Sequence, residues 1–224
     1  MRATLNPHWS PARVAPPSSD AATFHSNLPG YRPTPVVRLV EVAARLGVRS
    51  VVVKDESDRF GLPAFKILGA SWAVEQALRL DSGIEMLVAA SAGNHGRAVA
   101  WEAARRGLRS RIFLPARSLH VRRDAITAEG AEVVIVDGSY EDAVALAEAS
   151  AAAAGACLVA DVGETGCPAW VIDGYATLFR EASSQVKVDT ILVPVGVGAL
   201  AAAAARHGAE VGAAVLGVEP ATAA

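Results

Sequence analysis

Lys54, Lys66 and Lys187 are the only lysines of the chain, and its other cations are arginines. Lys66 lies within Phe65-Lys66-Ile67-Leu68-Gly69, flanked by apolar side chains. An amine set among such neighbours loses hydration and becomes available as a nucleophile near neutral pH. Neutral amines attack carbonyls, and the cofactor carbonyl that requires a buried lysine is that of pyridoxal phosphate, held as a Schiff base. The competing reading is structural: a lysine that lays its stem along a helix face and keeps its charge in water.

Two glycine-rich segments have the composition of anion sites. Ile191-Leu192-Val193-Pro194-Val195 runs into Gly196-Val197-Gly198-Ala199-Leu200 and then into an alanine-rich stretch. Glycines between a strand and a helix let backbone N–H groups converge on an oxyanion, and the helix start adds partial positive charge. On this segment alone three readings stay open: a cofactor phosphate, a dinucleotide pyrophosphate, or a tight turn without ligand. The dinucleotide reading uses Gly196-x-Gly198-x-x-Ala201 and Glu219, which stands roughly 20 residues on, where a ribose-binding acid belongs. It implies a nicotinamide-dependent oxidoreductase.

The second segment is Ser91-Ala92-Gly93-Asn94-His95-Gly96, preceded by the strand-like Val88-Ala89-Ala90. Hydroxyl, amide and backbone donors at such a turn surround one small anion, such as an amino-acid carboxylate. Helix capping is the structural alternative for Ser91 and Asn94. A dinucleotide enzyme does not need this second loop. An enzyme that holds a cofactor and an amino acid together does.

These residues must be positioned by regular elements, and the chain supplies an alternation. Short strands are expected at 36–39 and 51–53, with a helix at 41–46 closed by Gly47. The apolar spacing from Pro63 to Leu80 is helical. Strands then follow at 86–90, 111–114, 132–136 and 157–160, separated by helices at 96–106, 121–129 and 140–153. Helix 175–182, strand 190–195, helix 199–207 and strand 215–218 complete the series. Alternation of this kind predicts an α/β fold of parallel sheets covered by helices. Residues 1 to about 28 read as a loose leader with turn chemistry at Asn6-Pro7 and Pro16-Pro17.

Composition bounds the rest. The 224 residues are 52% hydrophobic and 20% charged, which describes a globular chain. Lys+Arg 21 against Asp+Glu 23 gives a net charge of −2, with no basic block for nucleic acid. The apolar run Ala199–Ala205 stops at Arg206-His207, short of a membrane span. Cys157 and Cys167 are the only cysteines, which offers no disulfide framework and suits a reducing, cytoplasmic compartment. No metal site is read from the sequence.

Jointly, the motifs resemble the fold-type II pyridoxal-phosphate enzymes, and within them the diaminopropionate ammonia-lyases. The matching residues are Pro29-Gly30-Tyr31-Arg32-Pro33-Thr34-Pro35, Lys54 to Leu62, Ala64-Phe65-Lys66, Gly93-Asn94-His95-Gly96-Arg97, Trp101, Pro168, Trp170, Gly174-Tyr175 and Gly196-Val197-Gly198. The resemblance implies that Lys66 carries the cofactor and moves the Cα proton, while Phe65 packs beside the pyridine ring. Asn94 would hydrogen-bond the ring hydroxyl. Gly196, Val197, Gly198 and the helix start at Ala199 would cradle the phosphate. Ser91, Ala92, Gly93 and His95 would hold the substrate carboxylate. The implied reaction is α,β-elimination on a small β-substituted amino acid, 2,3-diaminopropionate-like or serine/threonine, giving a keto acid and ammonia. A homodimer at full length is also implied.

The chain departs from that pattern in three places. Ammonia-lyases of this type carry an acid immediately before Gly-Asn-His-Gly, and here that place is Ala92, as in a hydroxy-amino-acid dehydratase. Their second acid corresponds to Asp161, for which a turn or helix-cap role competes. The chain also stops soon after Glu219, whereas the partner of the pyridine nitrogen lies further on in the family. A truncated product is therefore expected, with self-association through an uncovered sheet edge, and an inactive homologue kept as a binding partner is a further reading. The expected organisation is a larger cofactor-binding domain of residues 1–70 and 164–224, its C-terminal part missing, with a smaller α/β domain of 71–163.

Overall fold

The computed structural model describes residue 10 and residues 20–163 and 165–220. Its centre is a parallel sheet of β3 (Met86–Ala90), β4 (Arg109–Pro115), β5 (Glu132–Val136) and β6 (Ala156–Leu158), in the order β5-β4-β3-β6. β3 is buried along almost its whole length, as a strand covered on both faces must be. The two-residue side-chain period sorts its residues between two cores. Leu87 and Ala89 pack with helices α3 (Lys66–Leu80), α4 (Asn94–Arg106) and α7 (Cys167–Gln185). Met86 and Val88 pack instead with Phe113, Val136, and Ala143 and Ala147 of α6 (Tyr140–Ala151). α6 is started by a reciprocal capping box between Ser139 and Asp142.

A second parallel pair, β7 (Thr190–Pro194) with β8 (Ala214–Val218), is joined by α8 (Ala199–Val211). α8 is fastened to α7 by Arg206 to Asp173 at 2.6 Å and by the stacked rings of Phe179 and His207. α5 (His120–Ala128) lies between β4 and β5 in the chain.

β1 (Val36–Arg38) and β2 (Val52–Lys54) correct the expectation of parallel sheets throughout, because they pair antiparallel around α2 (Val40–Leu46). Val37 and Val53 face each other in this pair and are 43% and 44% exposed. Antiparallel pairs tolerate a solvated face, whereas a parallel sheet requires cover on both.

The leader reading is corrected at α1 (Asp20–Ser26), a helix whose His25 is completely buried. Its ring bonds Thr177 Oγ1 at 2.7 Å, the Leu68 carbonyl at 3.0 Å and Ser71 Oγ at 3.1 Å. Tertiary contact with α3 and α7, rather than local pattern, makes this helix. The turn signals at Asn6-Pro7 and Pro16-Pro17 fall outside the described residues. α7 is longer than the expected 175–182, since Pro168 is tolerated in a first turn and Gly174 sits mid-helix to meet α3.

One buried ionic network ties the chain's N-terminal loops to α7. The Arg59 guanidinium donates to both carboxylate oxygens of Glu181, at 2.7 and 2.8 Å, and Lys54 reaches the same group at 2.8 Å. Glu56, Thr34 and Tyr31 complete it. Arg59 is 1% exposed, so every one of its donors must find an acceptor within the protein, and these residues supply them.

Candidate active site

Lys66 is the first residue of α3, after a turn at 63–65 rather than inside a helix begun at Pro63. Its Nζ lies 5.9 Å from the centroid of the Phe65 ring and 5.8 Å from that of Tyr175. The two rings meet edge to face, with centroids 5.1 Å apart and planes at 78°. This is cation–π distance, and it fixes where the amine can point. The picture of an amine enclosed by apolar side chains alone needs correction. Asp161, in the turn after β6, accepts a hydrogen bond from Lys66 Nζ at 2.8 Å.

Asp161 also lies 3.9 Å from Nδ1 of His95, in the first turn of α4. His95 is buried, and its Nε2 bonds the Val159 carbonyl at 2.8 Å. Burial holds the His95 pKa below its ordinary value despite the nearby Asp161 carboxylate. The neutral ring therefore donates from Nε2 to Val159 and leaves Nδ1 without a partner among the described residues. For Asp161, burial pushes upward, but the charge and hydrogen bond of Lys66 bring the carboxyl net below its usual value. Asp161 is thus an ionised acceptor aimed at Lys66.

The segment Ser91–Gly93 leads into α4. Ser91 Oγ accepts from the Gly93 N–H at 3.3 Å, and the Ser91 carbonyl occupies the space a Cβ on Gly96 would need. Only glycine at 96 lets the helix begin against this turn. Ala92 is half-buried and places no charge there, while Asn94 is exposed as the first residue of α4. Through His95 this loop joins the Lys66–Asp161 group.

Gly196, Val197 and Gly198 form the turn between β7 and α8, with Ala199 buried as the first helical residue. Gly198 has φ +94°, a left-handed conformation that a side chain adopts only with strain. A Cβ on Gly196 or Gly198 would meet nothing within 4 Å, so the backbone there faces open space. A left-handed glycine at an uncapped helix N-terminus is suited to an oxyanion. The loop is connected to Lys66 by the packing of α8 on α7 and of α7 on α3. Glu219 is exposed beyond β8.

The Tyr175 hydroxyl was legible only as part of a motif. Its side chain is fully buried beside Lys66, and its hydroxyl has no hydrogen-bond partner among the described residues. Burial, with the Asp161 charge, raises its pKa well above the ordinary phenol value. It remains protonated and available to donate. A surface cleft of about 250 Å³ lined by Arg32, Asp58, Phe60 and Trp101 does not include Lys66.

The family model described as pyridoxal-phosphate dependent enzyme matches residues 28–224. Diaminopropionate ammonia-lyase of Escherichia coli K12 is 40% identical over a 206-residue alignment, covering 81% of this chain and 52% of that protein. L-Threonine dehydratase of Salmonella typhimurium LT2 is 31% identical over 203 residues, covering 87% of this chain and 37% of that protein. The solved holo diaminopropionate ammonia-lyase of Escherichia coli superposes with a TM-score of 0.85 at 34% identity, covering 92% of this chain and 61% of that one. The chain spans about half the length of the first of these relatives. The family match favours pyridoxal phosphate over a dinucleotide as the cofactor.

Proposed function

The chain belongs to the pyridoxal-phosphate dependent enzyme family, and from that premise we propose that it acts in the α,β-elimination of a small β-substituted amino acid, releasing a keto acid and ammonia. The observation that carries this reading is Lys66: an amine at a helix start, beside two aromatic rings and aimed by a carboxylate. The similarity to an ammonia-lyase and to a threonine dehydratase supports the reaction class.

The residues fit the cofactor. Lys66 supplies the amine, the open glycine turn at Gly196–Gly198 with the α8 start suits a phosphate, and the unpartnered Tyr175 hydroxyl offers a donor. Phe65 provides an aromatic wall, and Asn94 an exposed amide at the start of α4. When bound, pyridoxal phosphate supplies an electron sink that stabilises negative charge at the substrate Cα.

The chain's own groups do the rest. Lys66 removes the proton at Cα, as a general base whose position is set by Asp161 and the two rings, and the group on Cβ then departs. Asp161 holds Lys66 Nζ and receives its hydrogen bond as the amine changes protonation. Ser91, Gly93 and the backbone of His95 bind the substrate carboxylate, with Ala92 beside them. An alanine there offers no acid to a departing amine, which favours a hydroxy amino acid over a diamine as substrate. Phe65 and Tyr175 exclude water from the amine.

We read the organisation as the larger unit of 1–70 and 164–224 with 71–163 as the smaller, the two sharing α3, which runs through the first boundary. Among the described residues no helix is long and apolar enough to cross a membrane. We read the protein as cytoplasmic and, at full length, homodimeric. The test is spectroscopic and covalent: added pyridoxal phosphate gives a visible absorbance band, and borohydride fixes the cofactor on the Lys66 peptide. A band unaffected by Lys66→Ala, or an adduct on another lysine, sinks the reading. Keto acid and ammonia measured over serine, threonine and diaminopropionate enantiomers then assign the substrate.

A further inference from the structure

Residues 29–35 and 55–61 lie side by side at the surface, and the buried ionic network fixes their separation. Arg59 donates to the Arg32 carbonyl at 3.3 Å and to Thr34 Oγ1 at 3.1 Å. The Asp55 N–H bonds the Pro35 carbonyl at 2.9 Å. Two clefts, of about 250 and 370 Å³, draw their linings from both segments, and Arg32 and Asp58 line each of them. These two side chains form an ion pair and are 71% and 53% exposed, so one solvated pair stands at the seam of both clefts.

The smaller cleft has shaped walls. Phe60, with φ +58°, is the only residue other than glycine in the left-handed region among the described residues. A bulky side chain adopts that conformation only where its surroundings impose it. Its ring packs against those of Tyr31 and Trp101, with centroids 6.2 and 5.9 Å away, and Phe60 and Trp101 both line the cleft. Asp58 is aimed as well: its Oδ1 accepts from the Gly61 N–H at 3.0 Å, which leaves Oδ2 to Arg32.

We propose that this cleft binds a free amino acid with an apolar side chain, as a zwitterion that exchanges partners with the Arg32–Asp58 pair.

Arg32 takes the ligand carboxylate, Asp58 takes its ammonium, and the side chain lies against Phe60 and Trp101. Each protein charge regains an opposite one, so the exchange strands neither. An exposed ion pair contributes little by itself, and opening it costs correspondingly little. A carboxylate alone would strand Asp58, and an amine alone would strand Arg32. Size agrees: the cleft of about 250 Å³ lies below the range of about 300–1,000 Å³ that holds drug-sized ligands, and suits a single amino acid. Asp58 and Phe60 flank Arg59, so the ligand would rest on the loop that holds Glu181 of α7. Binding stands apart from the function proposed above, and only an effect on turnover would rest on that reading.

The probe is L-leucine, which has no leaving group on Cβ and is not consumed by an elimination. The full chain is loaded with pyridoxal phosphate and reduced with borohydride, which blocks the Lys66 amine. Isothermal titration calorimetry then follows leucine, and saturable binding in the millimolar range or tighter is expected. Arg32→Gln and Asp58→Asn should each weaken it about tenfold or more, the usual effect of losing a charged hydrogen-bond partner. Isocaproate, which lacks the amine, and isoamylamine, which lacks the carboxylate, should bind the wild type more weakly by the same factor. These analogues test the point on the unaltered chain, whatever the variants do to folding. The proposal is overturned if leucine does not bind, if either folded variant binds it as the wild type does, or if either analogue binds as well as leucine. A chain that takes up no cofactor yet binds leucine in this way fails the functional reading alone.

Discussion

Gly174 in α7 faces Gly69 in α3 with no side chain between them: a Cβ on Gly174 would lie 2.8 Å from the Gly69 Cα, and it would also collide with the Leu68 carbonyl. The contact is backbone to backbone, so neither atom can turn aside as a rotamer would. Because Lys66 opens the same helix less than one turn earlier, the distance between α3 and α7 also sets the amine against the Tyr175 ring.

Gly174→Ala should therefore destabilise the chain by about 1–3 kcal/mol through overpacking, more than an alanine usually gains in a helix. Urea unfolding followed by circular dichroism measures it. A variant as stable as wild type would show that the helices can separate at no cost.

Asp161→Asn keeps the shape of the side chain and removes its charge. The expected outcome is a fall in turnover of about 10²–10⁴-fold, the usual weight of a positioned acid–base partner. Borohydride should still fix the cofactor on Lys66, since the amine itself is intact. Rapid-quench measurement of keto acid alongside peptide mapping distinguishes a slow enzyme from one that has lost its cofactor.

Arg59→Ala leaves Glu181 and Glu56 facing each other in a buried site without their shared donor. Removing one member of such a pair costs about 3–5 kcal/mol. Arg59→Lys should recover only part of this, because an ammonium cannot donate to both Glu181 oxygens in the fork geometry. The midpoints of chemical denaturation rank the three proteins.

His25 supplies a pH dependence. Burial is the main cause that lowers its pKa from 6.5 to about 3, even though the Leu68 carbonyl pulls the other way. The unfolded chain takes up the proton first as pH falls, so the folded state loses stability progressively from near pH 6.5 down towards pH 3. The slope attributable to this one group is about 1.4 kcal/mol per pH unit. Carboxylates such as Glu181, which the Arg59 and Lys54 bonds hold below the ordinary value against burial, also lose stability in acid. The His25 share is the difference between wild type and His25→Gln melted across that range, and parallel curves would remove it.

The sheet strands were the most legible part of the fold. Met86–Ala90 and Glu132–Val136 fall where short apolar runs bounded by turns place them, and for Met86–Ala90 burial on both faces imposes that composition directly. α1 left no such mark. Its reason to be helical is His25 meeting Thr177 and Leu68, residues far away in the chain, and no local period records that. The start of α7 was hidden for a related reason: Gly174 looks like a helix breaker until the neighbouring helix is present. At the site, Lys66 and the two loops were readable from residue type and spacing. The partner at 2.8 Å from Lys66 was legible only through family likeness, since Asp161 is distant in sequence and lies in an irregular turn. Tyr175 carried no sign of its empty hydroxyl, because an unmade hydrogen bond is a property of packing.

α7 runs for 19 residues, about 28 Å of helix. Cys167 begins it, Tyr175 stands mid-way beside the amine, Thr177 receives His25, and Glu181 near its far end gathers the N-terminal loops. A rigid rod loaded at both ends behaves as a lever. A sub-ångström roll forced at Glu181 by a surface loop would reappear at the Tyr175 ring, so the geometry of the amine answers to a cluster that never touches it.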